Sequence, residues 1–338
     1  MSIRIARRAA AAAVAGLMTV TAGCTTGEPA KAPDGVDKVT YLTAFASFGR
    51  EAYAWVALEK GFFRDRNIEV EIKPGQGSAD NLKLLAAGQA QFSANDLSGV
   101  MITLGQGDYQ GDVRAVAAIQ QRTLNSITVL ESSGITTPAD LVGKRVGGVP
   151  GGAPMLLWPA YAKLAGIDPG SVQWVNSPAQ QTPGLLAAGR VDGIGQFTVA
   201  RGTVEKAAQG RPVRLLPYSD VIADLYGNAV IAPMTLIRDD PDLVRRFSEA
   251  ILEGLVYSID HPDEAGQILH KHVPSADPTA AAQEVALMQP YVLSNARAGV
   301  LDPERIARAI AVLQGAGVIP AGLTPADVIA SGFAASPA

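Results

Sequence analysis

Short apolar strands alternate with helices along the first part of the chain, and this alternation constrains the fold more than any other feature. The pattern predicts strands over residues 38–43, 68–72 and 91–94 and helices over residues 51–60, 80–87 and 97–105. Gly61 and Gly88 follow two of these helices, where a residue with positive φ commonly ends a helix. Strand–helix–strand order is typical of a parallel sheet with helices on its faces, so we predict an α/β fold.

The same order returns in the middle of the chain. The sequence Leu-Leu-Ala-Ala-Gly occupies residues 84–88 and again 185–189, each time before a short predicted strand. A helix over residues 158–165 and a strand over 172–175 repeat the helix and strand at 51–60 and 68–72. Thr137 can cap a short helix that starts at Pro138, and a strand over 145–149 follows. We therefore predict two similarly built lobes.

The chain becomes helical after residue 237. Helices are predicted over residues 241–258, 262–270, 278–295 and 303–315, and each begins with a proline, which suits the first helical turn. We expect this tail to pack on the first lobe. The predicted division is residues 38–128 with 232–338 for lobe one and 129–231 for lobe two, with closure hinging near residues 126–131 and 228–233.

Cys24 is the only cysteine of the 338 residues and follows a typical export signal. Three arginines precede an apolar run over residues 9–20, and small residues at 21–23 lead to Cys24. The run is too short to span a bilayer, which takes roughly 20 residues. The segment resembles a lipobox, with Thr21 where leucine is usual. We predict a lipoprotein signal peptide over residues 1–23, lipidation of Cys24 and a flexible tether over 24–37; the alternative is an ordinary signal peptide before an unremarkable cysteine.

Composition limits the possible partners. The formal net charge is −4 and no basic tract occurs, so nucleic acid is not expected as a partner. A single cysteine allows no disulfide within the chain, so the fold depends on its hydrophobic core, for which an apolar fraction of 48% is ample. These properties suit a soluble α/β protein held at a membrane surface by its N-terminal lipid.

Several segments resemble one known family when they are taken in order. They are YAWVALEKGFF at residues 53–63, IEVEI at 68–72, LLAAGQAQF at 84–92, TTPADLVGKRVGGVPGG at 136–152, LLAAGRVDGI at 185–194 and DPDLVRRF at 240–247. This series is similar to the sulfonate/nitrate/thiamine-precursor group of ABC-transporter substrate-binding proteins and covers nearly all of residues 38–315.

The resemblance implies a type 2 periplasmic-binding-protein fold. Two Rossmann-like lobes would be joined by two crossover segments, with one small-molecule ligand in the cleft between them and the helical C-terminal tail on the first lobe. It also implies an ABC permease and its ATPase as partners and a location on the periplasmic or outer face of the membrane. A monomer is expected.

Candidate ligand-binding residues follow from the strand ends. In open α/β sheets, ligands bind beyond the carboxyl ends of the strands. The residues there that we select are Phe45, Phe48, Arg50, Glu51, Asn95, Asp96, Gln121, Arg122, Gly151, Gly152, Ala153, Gln196, Phe197, Tyr226 and Asn228.

Several of these residues allow two interpretations. Phe45 and Phe48 could stack on a planar ligand or pack in the core under their loop. Asp96 could accept a hydrogen bond from a ligand amino group or cap the helix that begins near residue 97. Arg50 and Glu51 could contact the ligand, or Glu51 could simply complement the dipole of its helix.

The glycine loop at residues 150–154 bears on the ligand class. It matches neither a dinucleotide-binding fingerprint nor a P-loop, so nucleotide binding is not expected. Relatives that bind oxyanions often have hydroxyl residues here, and this chain has none. Gln121, Gln196 and Asn228 instead offer both donors and acceptors. This set favours a neutral, planar, polar heterocycle: a thiamine pyrimidine precursor first, riboflavin second, and a sulfonate, nitrate or other oxyanion third.

No catalytic motif accompanies these residues. The three histidines, His261, His270 and His272, all fall in the tail, where they are more typical of a helix end than of a metal site. We predict no catalytic residue, no metal and no cofactor. Two rival functions stay open: an enzyme of thiamine-pyrimidine synthesis, whose histidine and cysteine-rich segment have no counterpart here, and an envelope scaffold or sensor.

Overall fold

The computed structural model describes residues 35–295 and 297–334. The predicted signal peptide, Cys24 and most of the predicted tether lie outside these residues. The strands are β1 Asp37–Leu42, β2 Phe45–Ala46, β3 Ile68–Lys73, β4 Gly75–Gln76, β5 Phe92–Asp96, β6 Val113–Ala118, β7 Asn125–Leu130, β8 Arg145–Gly148, β9 Gln173–Asn176, β10 Gly193–Phe197, β11 Val213–Pro217 and β12 Asn228–Pro233. The helices are α1 Ala52–Glu59, α2 Ser78–Ala86, α3 Leu97–Gly105, α4 Ala153–Leu164, α5 Thr182–Ala187, α6 Arg201–Ala207, α7 Met234–Asp239, α8 Pro241–Asp260, α9 Pro262–His272, α10 Pro278–Val292, α11 Pro303–Gly315 and α12 Pro325–Val328.

Two five-stranded sheets form the cores of two lobes. The first has the order β3-β1-β5-β12-β6 and the second has the order β9-β8-β10-β7-β11. In the first sheet β1 is parallel to β3 and β5, whereas β12 is antiparallel to β5 and β6. In the second, β8 is parallel to β9 and β10, whereas β7 is antiparallel to β10 and β11. The sheets were predicted to be parallel, but both are mixed. In each lobe the antiparallel strand is the first strand after the chain crosses from the other lobe: β12 in lobe one and β7 in lobe two.

The internal repeat predicted from the sequence is present in the topology. Read in space, β9, β8, β10, β7 and β11 take the places of β3, β1, β5, β12 and β6. The two copies of Leu-Leu-Ala-Ala-Gly end α2 and α5, and Gly88 and Gly189 close them with φ of 69° and 66°. A non-glycine residue would be strained at this conformation, which explains why both copies end in glycine.

The two connections between the lobes differ from the predicted cuts. The cut at residues 128/129 falls inside β7, and the cut at 231/232 falls inside β12, yet each strand belongs whole to one sheet. The connections are instead residues 119–124 and 218–227. They run side by side, since the Thr123 amide donates to the Leu225 carbonyl at 2.9 Å and the Gly227 amide donates to the Gln120 carbonyl at 3.1 Å.

The helical tail packs on the first lobe, as predicted. Helix α8 lies against α1, and it comes so close that a Cβ on Gly254 would be 2.5 Å from the Tyr53 carbonyl oxygen. Ile329, after α12, pairs with Ala115 of β6. Helix α10 also reaches lobe two, where Asp277 at its start pairs with Lys206 of α6 at 2.5 Å. In the described part of the chain, no helix is long and apolar enough to cross a membrane.

Candidate functional site

A cleft with about 590 Å³ of empty volume, counted to its open mouth, lies between the lobes. Both lobes supply its walls, which are Ala44, Phe45, Phe48, Gly77, Ser78, Asp96, Gly148, Val149, Gly152, Ala153, Pro154, Met155, Ala179, Thr182, Gly195, Gln196, Phe197 and Asn228.

The lobes touch across this cleft. A Cβ on Gly77 of lobe one would lie 3.6 Å from the Gly151 carbonyl oxygen of lobe two, and a Cβ on Gly151 would lie 3.4 Å from Ala79 Cβ. A Cβ on Gly99 in α3 would lie 3.6 Å from a methyl group of Leu156 in α4. The two lobes thus face each other at close range on either side of the cleft, and we call this arrangement closed.

Three phenylalanine rings line the cleft. Phe45 is the first residue of β2, Phe48 follows that strand, and Phe197 is the last residue of β10 in lobe two. All three are half-buried, so part of each ring is open to the cleft. Rings from opposite lobes can contact a planar ligand only while the cleft is closed, which links aromatic binding to closure.

Arg50 lies behind two of these rings. Its guanidinium carbon is 4.7 Å from the centre of the Phe48 ring and 4.3 Å from the centre of the Phe197 ring, both cation–π distances. Glu284 of α10 lies 3.5 Å from its Nη1. Arg50 is 2% exposed and is not part of the cleft wall, so its contact with the cleft is through the rings.

Glu51 supports the cleft from behind. Its Oε2 accepts hydrogen bonds from the Ala44 amide at 3.3 Å and the Tyr53 hydroxyl at 3.1 Å, and its Oε1 accepts one from Asn228 Nδ2 at 3.4 Å. Burial raises the pKa of Glu51 to about 7, against the opposing effect of Arg50. Ala44 and Asn228 both line the cleft, so Glu51 acts on the site by orienting them.

The position of Asp96 is compatible with both roles considered from the sequence, the helix cap and the ligand contact. Its Oδ1 accepts the amides of Ser98 and Gly99 at 3.1 and 3.2 Å, which makes it the N-cap of α3. Its Oδ2 accepts Asn125 Nδ2 at 2.9 Å, across to lobe two. Burial raises its pKa to about 6. Asp96 also lines the cleft, so a ligand contact stays a prediction beside the observed cap.

Two amide side chains offer hydrogen-bonding atoms to the cleft. Asn228 Nδ2 is used by Glu51, and no group in the described ranges donates to its Oδ1. Gln196 Oε1 accepts its neighbour's amide, that of Phe197, at 3.0 Å, and its Nε2 has no acceptor among the described residues. The walls thus present an amide acceptor, an amide donor and the Asp96 carboxyl, while the residues lining them include no Lys, Arg or His.

The glycine loop of lobe two is at the cleft. Gly152 and Ala153 line it, where Gly152 is the N-cap of α4, and Gly151 stands at the mouth against Gly77 with φ of 70°. The sequence analysis missed Gly77 and Ser78 after β3 and Ala179 and Thr182 after β9. Both segments follow the carboxyl ends of strands, so the rule used for the other loops could have found them.

Besides Arg50, Glu51 and Gly151, four further predicted residues are not among those that line the cleft. Asn95 is buried and its Nδ2 donates to the Ser78 carbonyl at 2.9 Å. Gln121 Nε2 donates to the Val300 carbonyl at 3.1 Å, and Arg122 Nη2 donates to the Pro290 carbonyl at 3.2 Å, so both hold the tail. The Tyr226 hydroxyl accepts the Asp302 amide at 3.0 Å. The last three belong to the connections between the lobes, which pack under the tail instead of facing the ligand.

The histidines are remote from the cleft. His270 Nδ1 is 2.8 Å from the Ala276 carbonyl oxygen, and His272 Nε2 is 2.9 Å from Glu59 Oε2. Across residues 35–295 and 297–334, no group of three or more His, Cys, Asp or Glu side chains could hold a metal ion.

Two relatives differ in their named roles. The formylaminopyrimidine-binding protein of Halalkalibacterium halodurans is 23% identical over 220 residues, covering 64% of this chain and 65% of that protein, just under two thirds of its length. A 4-amino-5-hydroxymethyl-2-methylpyrimidine phosphate synthase of Legionella pneumophila is 26% identical over 220 residues, covering 63% of this chain and 67% of that protein.

Solved structures share the fold, and a family model matches the sequence. The alkanesulfonate-binding protein SsuA of Xanthomonas axonopodis aligns with a TM-score of 0.69 at 15% identity, covering 87% of this chain and 98% of that one. A Candida albicans protein described as having the generic periplasmic binding protein fold aligns with a TM-score of 0.64 at 15% identity, covering 85% and 91%. This likeness confirms the predicted periplasmic-binding-protein fold. The model described as NMT1/THI5 like matches residues 51–265, well over half of the sequence, and the chain therefore belongs to the NMT1/THI5-like family.

Proposed function

We propose that this protein is a lipid-anchored, extracytoplasmic substrate-binding protein that delivers a small heteroaromatic ligand of the thiamine-pyrimidine type to an ABC importer. The observation that carries the proposal is the closed cleft, in which aromatic rings from both lobes face polar groups of Asp96, Gln196 and Asn228. Such a cleft is suited to binding and release of a flat molecule by lobe movement.

The polar atoms favour an aminopyrimidine. An exocyclic amino group donates hydrogen bonds, which Asn228 Oδ1 and the Asp96 carboxylate can accept, and a ring nitrogen accepts one, which Gln196 Nε2 can donate. Planar rings stack on Phe45, Phe48 and Phe197, each such pair contributing about 0.5–1.5 kcal/mol beyond its buried area. The formylaminopyrimidine-binding relative agrees with this ligand class.

An oxyanion ligand fits this cleft less well. The residues lining it include no cationic side chain, and Arg50 is shielded from it by Phe48 and Phe197. Asp96 on the wall would repel a sulfonate or nitrate when ionised. The start of α4 offers backbone amides that could bind an anion, so sulfonate and nitrate belong in the test, as does riboflavin.

A synthase function is supported by the relatives that are themselves named as synthases. The Legionella protein that is named a synthase aligns over a similar length of the chain. The family resemblance implies that a synthase of this kind carries a histidine and a cysteine-rich segment, and the residues that line this cleft include neither histidine nor cysteine. We therefore favour binding over catalysis.

The proposal is tested by ligand-induced stabilisation. The full chain carrying Cys24→Ser would be screened by thermal unfolding against aminopyrimidines with hydroxymethyl or formylamino substituents, thiamine, riboflavin, nitrate and alkanesulfonates. A ligand that binds only the native state raises Tm by mass action, so we expect a shift from the aminopyrimidines. A shift from the oxyanions alone would contradict the aromatic-cleft argument.

The double variant Phe45→Ala with Phe48→Ala tests whether the ligand binds in the cleft. We expect calorimetric titration to show a loss in affinity of at least about tenfold, since two stacking contacts disappear. Phe62→Ala is the matched control, because Phe62 is also half-buried but packs on Tyr257, at a ring distance of 6.2 Å. Equal ligand affinities for the double variant and the control would show that the ligand does not bind against these rings in the cleft.

A further inference from the structure

One arginine contacts aromatic walls from both lobes. The Arg50 guanidinium lies between the ring of Phe48, from lobe one, and the ring of Phe197, from lobe two. Its position therefore depends on both lobes, and in turn it limits how the two rings can move. Any opening that carries Phe197 away with lobe two breaks one of these two contacts.

Glu284 extends this contact to a second point on lobe two. The side chain is 3% exposed, and its Oε2 lies 3.5 Å from Arg50 Nη1 and accepts the Arg50 amide at 3.2 Å. Its Oε1 accepts the Thr203 hydroxyl of α6 at 3.0 Å. A continuous series from Phe48 through Arg50 and Glu284 to Thr203 thus joins lobe one, the tail and lobe two.

The surrounding contacts keep α10 against lobe two. Lys206 and Asp277 pair beside Thr203 and Glu284. A Cβ on Gly202 would lie 2.8 Å from Gln283 Oε1, so the end of the Gln283 side chain of α10 reaches α6 at this glycine. Hence the Thr203–Glu284 bond lies in the contact between lobe two and the tail, and opening of the lobes at this face would separate its two partners.

The buried charges make this contact sensitive to opening. Arg50 Nε and Nη2 have no hydrogen-bond partner within the described residues, although the side chain is almost fully buried. In the closed form the charge is offset by Glu284, by Glu51, whose Oε1 is 4.0 Å from Arg50 Nε, and by the two rings, and in an open form water can do so. Loss of a hydrogen bond in this contact should therefore shift the ratio of the two forms toward the open one.

We propose that Arg50 and Glu284 are positioning residues that latch the lobes through Thr203 and hold Phe48 and Phe197 at the spacing a planar ligand needs. The part of this inference that concerns a ligand rests on the proposed function. The latch itself is a property of the ligand-free protein and can be measured without knowing the ligand.

The experiment measures the distance between the lobes. Ala87 and Ala188 are exposed residues at the ends of α2 and α5, whose opposite ends meet the cleft, and each is changed to cysteine for spin labelling. In the full chain with Cys24→Ser these are the only thiols. Pulsed electron paramagnetic resonance on the ligand-free protein then gives the ratio of open to closed forms.

Thr203→Val is the decisive variant, because it keeps the shape of threonine and removes the hydroxyl that Glu284 accepts. We expect the open-to-closed ratio to rise about tenfold, as for loss of one hydrogen bond to a charged group. Thr203→Ser should restore the parent ratio, and Thr279→Val, the same change at an exposed site of α10, should leave it unaltered. All four proteins should share one Tm within about 2 °C.

Superimposable distance distributions for Thr203→Val and the parent protein would overturn the latch, as would an equal shift in Thr279→Val. Where the ligand screen gives a hit, Thr203→Val should also raise the ligand dissociation rate. A silent screen together with a shifted distance distribution would contradict the proposed function and leave the latch in place.

Discussion

Two buried carboxyl groups near the cleft are each held in position by hydrogen bonds to neighbouring groups. Asp96 caps α3 and accepts a bond from Asn125, while Glu51 orients Ala44 and Asn228. A capping or bridging role does not exclude a ligand contact, because each carboxylate has about four lone-pair positions. Asp96 can therefore cap α3 and contact a ligand at the same time.

Burial of Glu51 predicts a pH dependence of stability. Its pKa rises from 4.5 to about 7 because burial disfavours the charged form. The folded protein then binds this proton more tightly than the unfolded chain does. The stabilisation that Glu51 adds to the free energy of unfolding is therefore complete below pH 4.5 and is lost as the pH rises through 7. We expect Glu51 to lower the free energy of unfolding by roughly 3 kcal/mol across this window.

The measurement is urea unfolding at pH 5 and pH 8 for the parent protein and Glu51→Gln. Glutamine stays neutral, so the variant should lack this part of the loss between the two pH values. Glu131→Gln removes an exposed carboxyl of lobe two and should follow the parent profile. Parallel profiles for the parent and Glu51→Gln would show that Glu51 has an ordinary pKa in the folded protein.

At the scale of elements, close helix packing decides where small residues are needed. Helices α1 and α8 meet at Gly254, where a Cβ would also be 2.7 Å from Ala57 Cβ. Gly315, the last residue of α11, has no such atom within 4 Å. The same replacement should thus have opposite effects at the two glycines.

Gly254→Ala should destabilise the protein by about 1–3 kcal/mol, because the added methyl forces the helices apart. Gly315→Ala should be neutral or stabilise it by up to about 1 kcal/mol, because alanine has the higher helix propensity. Chemical unfolding of both variants checks the pair. A stabilised Gly254→Ala would show that α1 and α8 can separate at little cost, and that this contact does not hold the tail on lobe one.

Local patterns predicted several elements of both lobes well, although the helix predicted over residues 158–165 begins at Ala153 in the structure. Helix α3 and helix α11 have the bounds expected from sequence, because Asp96 and Asp302 cap them; in α11, apolar spacing also marks the buried face. Thr137 caps the short 3-10 helix Pro138–Leu141, as predicted. The repeated Leu-Leu-Ala-Ala-Gly gave the correspondence of the lobes because positive φ at Gly88 and Gly189 is a local requirement.

Contacts between distant segments could not be predicted in this way. The direction of β7 and β12 depends on which sheet each strand joins, and their own sequences do not specify this. Gln121 and Arg122 follow β6 as ligand residues would, but the connection turns them toward the tail. Glu284 lies far along the chain from Arg50, and only the packing of α10 brings them together.

At the scale of the whole molecule, the two connections and helix α10 are among the described segments that join the lobes. The connections allow a hinge, whereas the contact of α10 with α6 is made or broken by it. The residues that precede the folded body are proposed to hold it at a membrane. An anchored binding protein stays near its importer, which raises the effective concentration of loaded protein there.

The anchor predicts that Cys24→Ser changes where the protein resides and leaves its fold intact. In a bacterial host with lipoprotein processing, the parent protein should partition into the detergent phase, and mass spectrometry should find an acylated N-terminal Cys24. Cys24→Ser should lose both properties, since stable anchoring depends on the acyl chains. Thr26→Ala, which leaves Cys24 in place, should behave as the parent. If the parent itself is recovered unacylated and in the aqueous phase, residues 1–23 are an ordinary signal peptide, and ligand delivery would depend on diffusion to the permease.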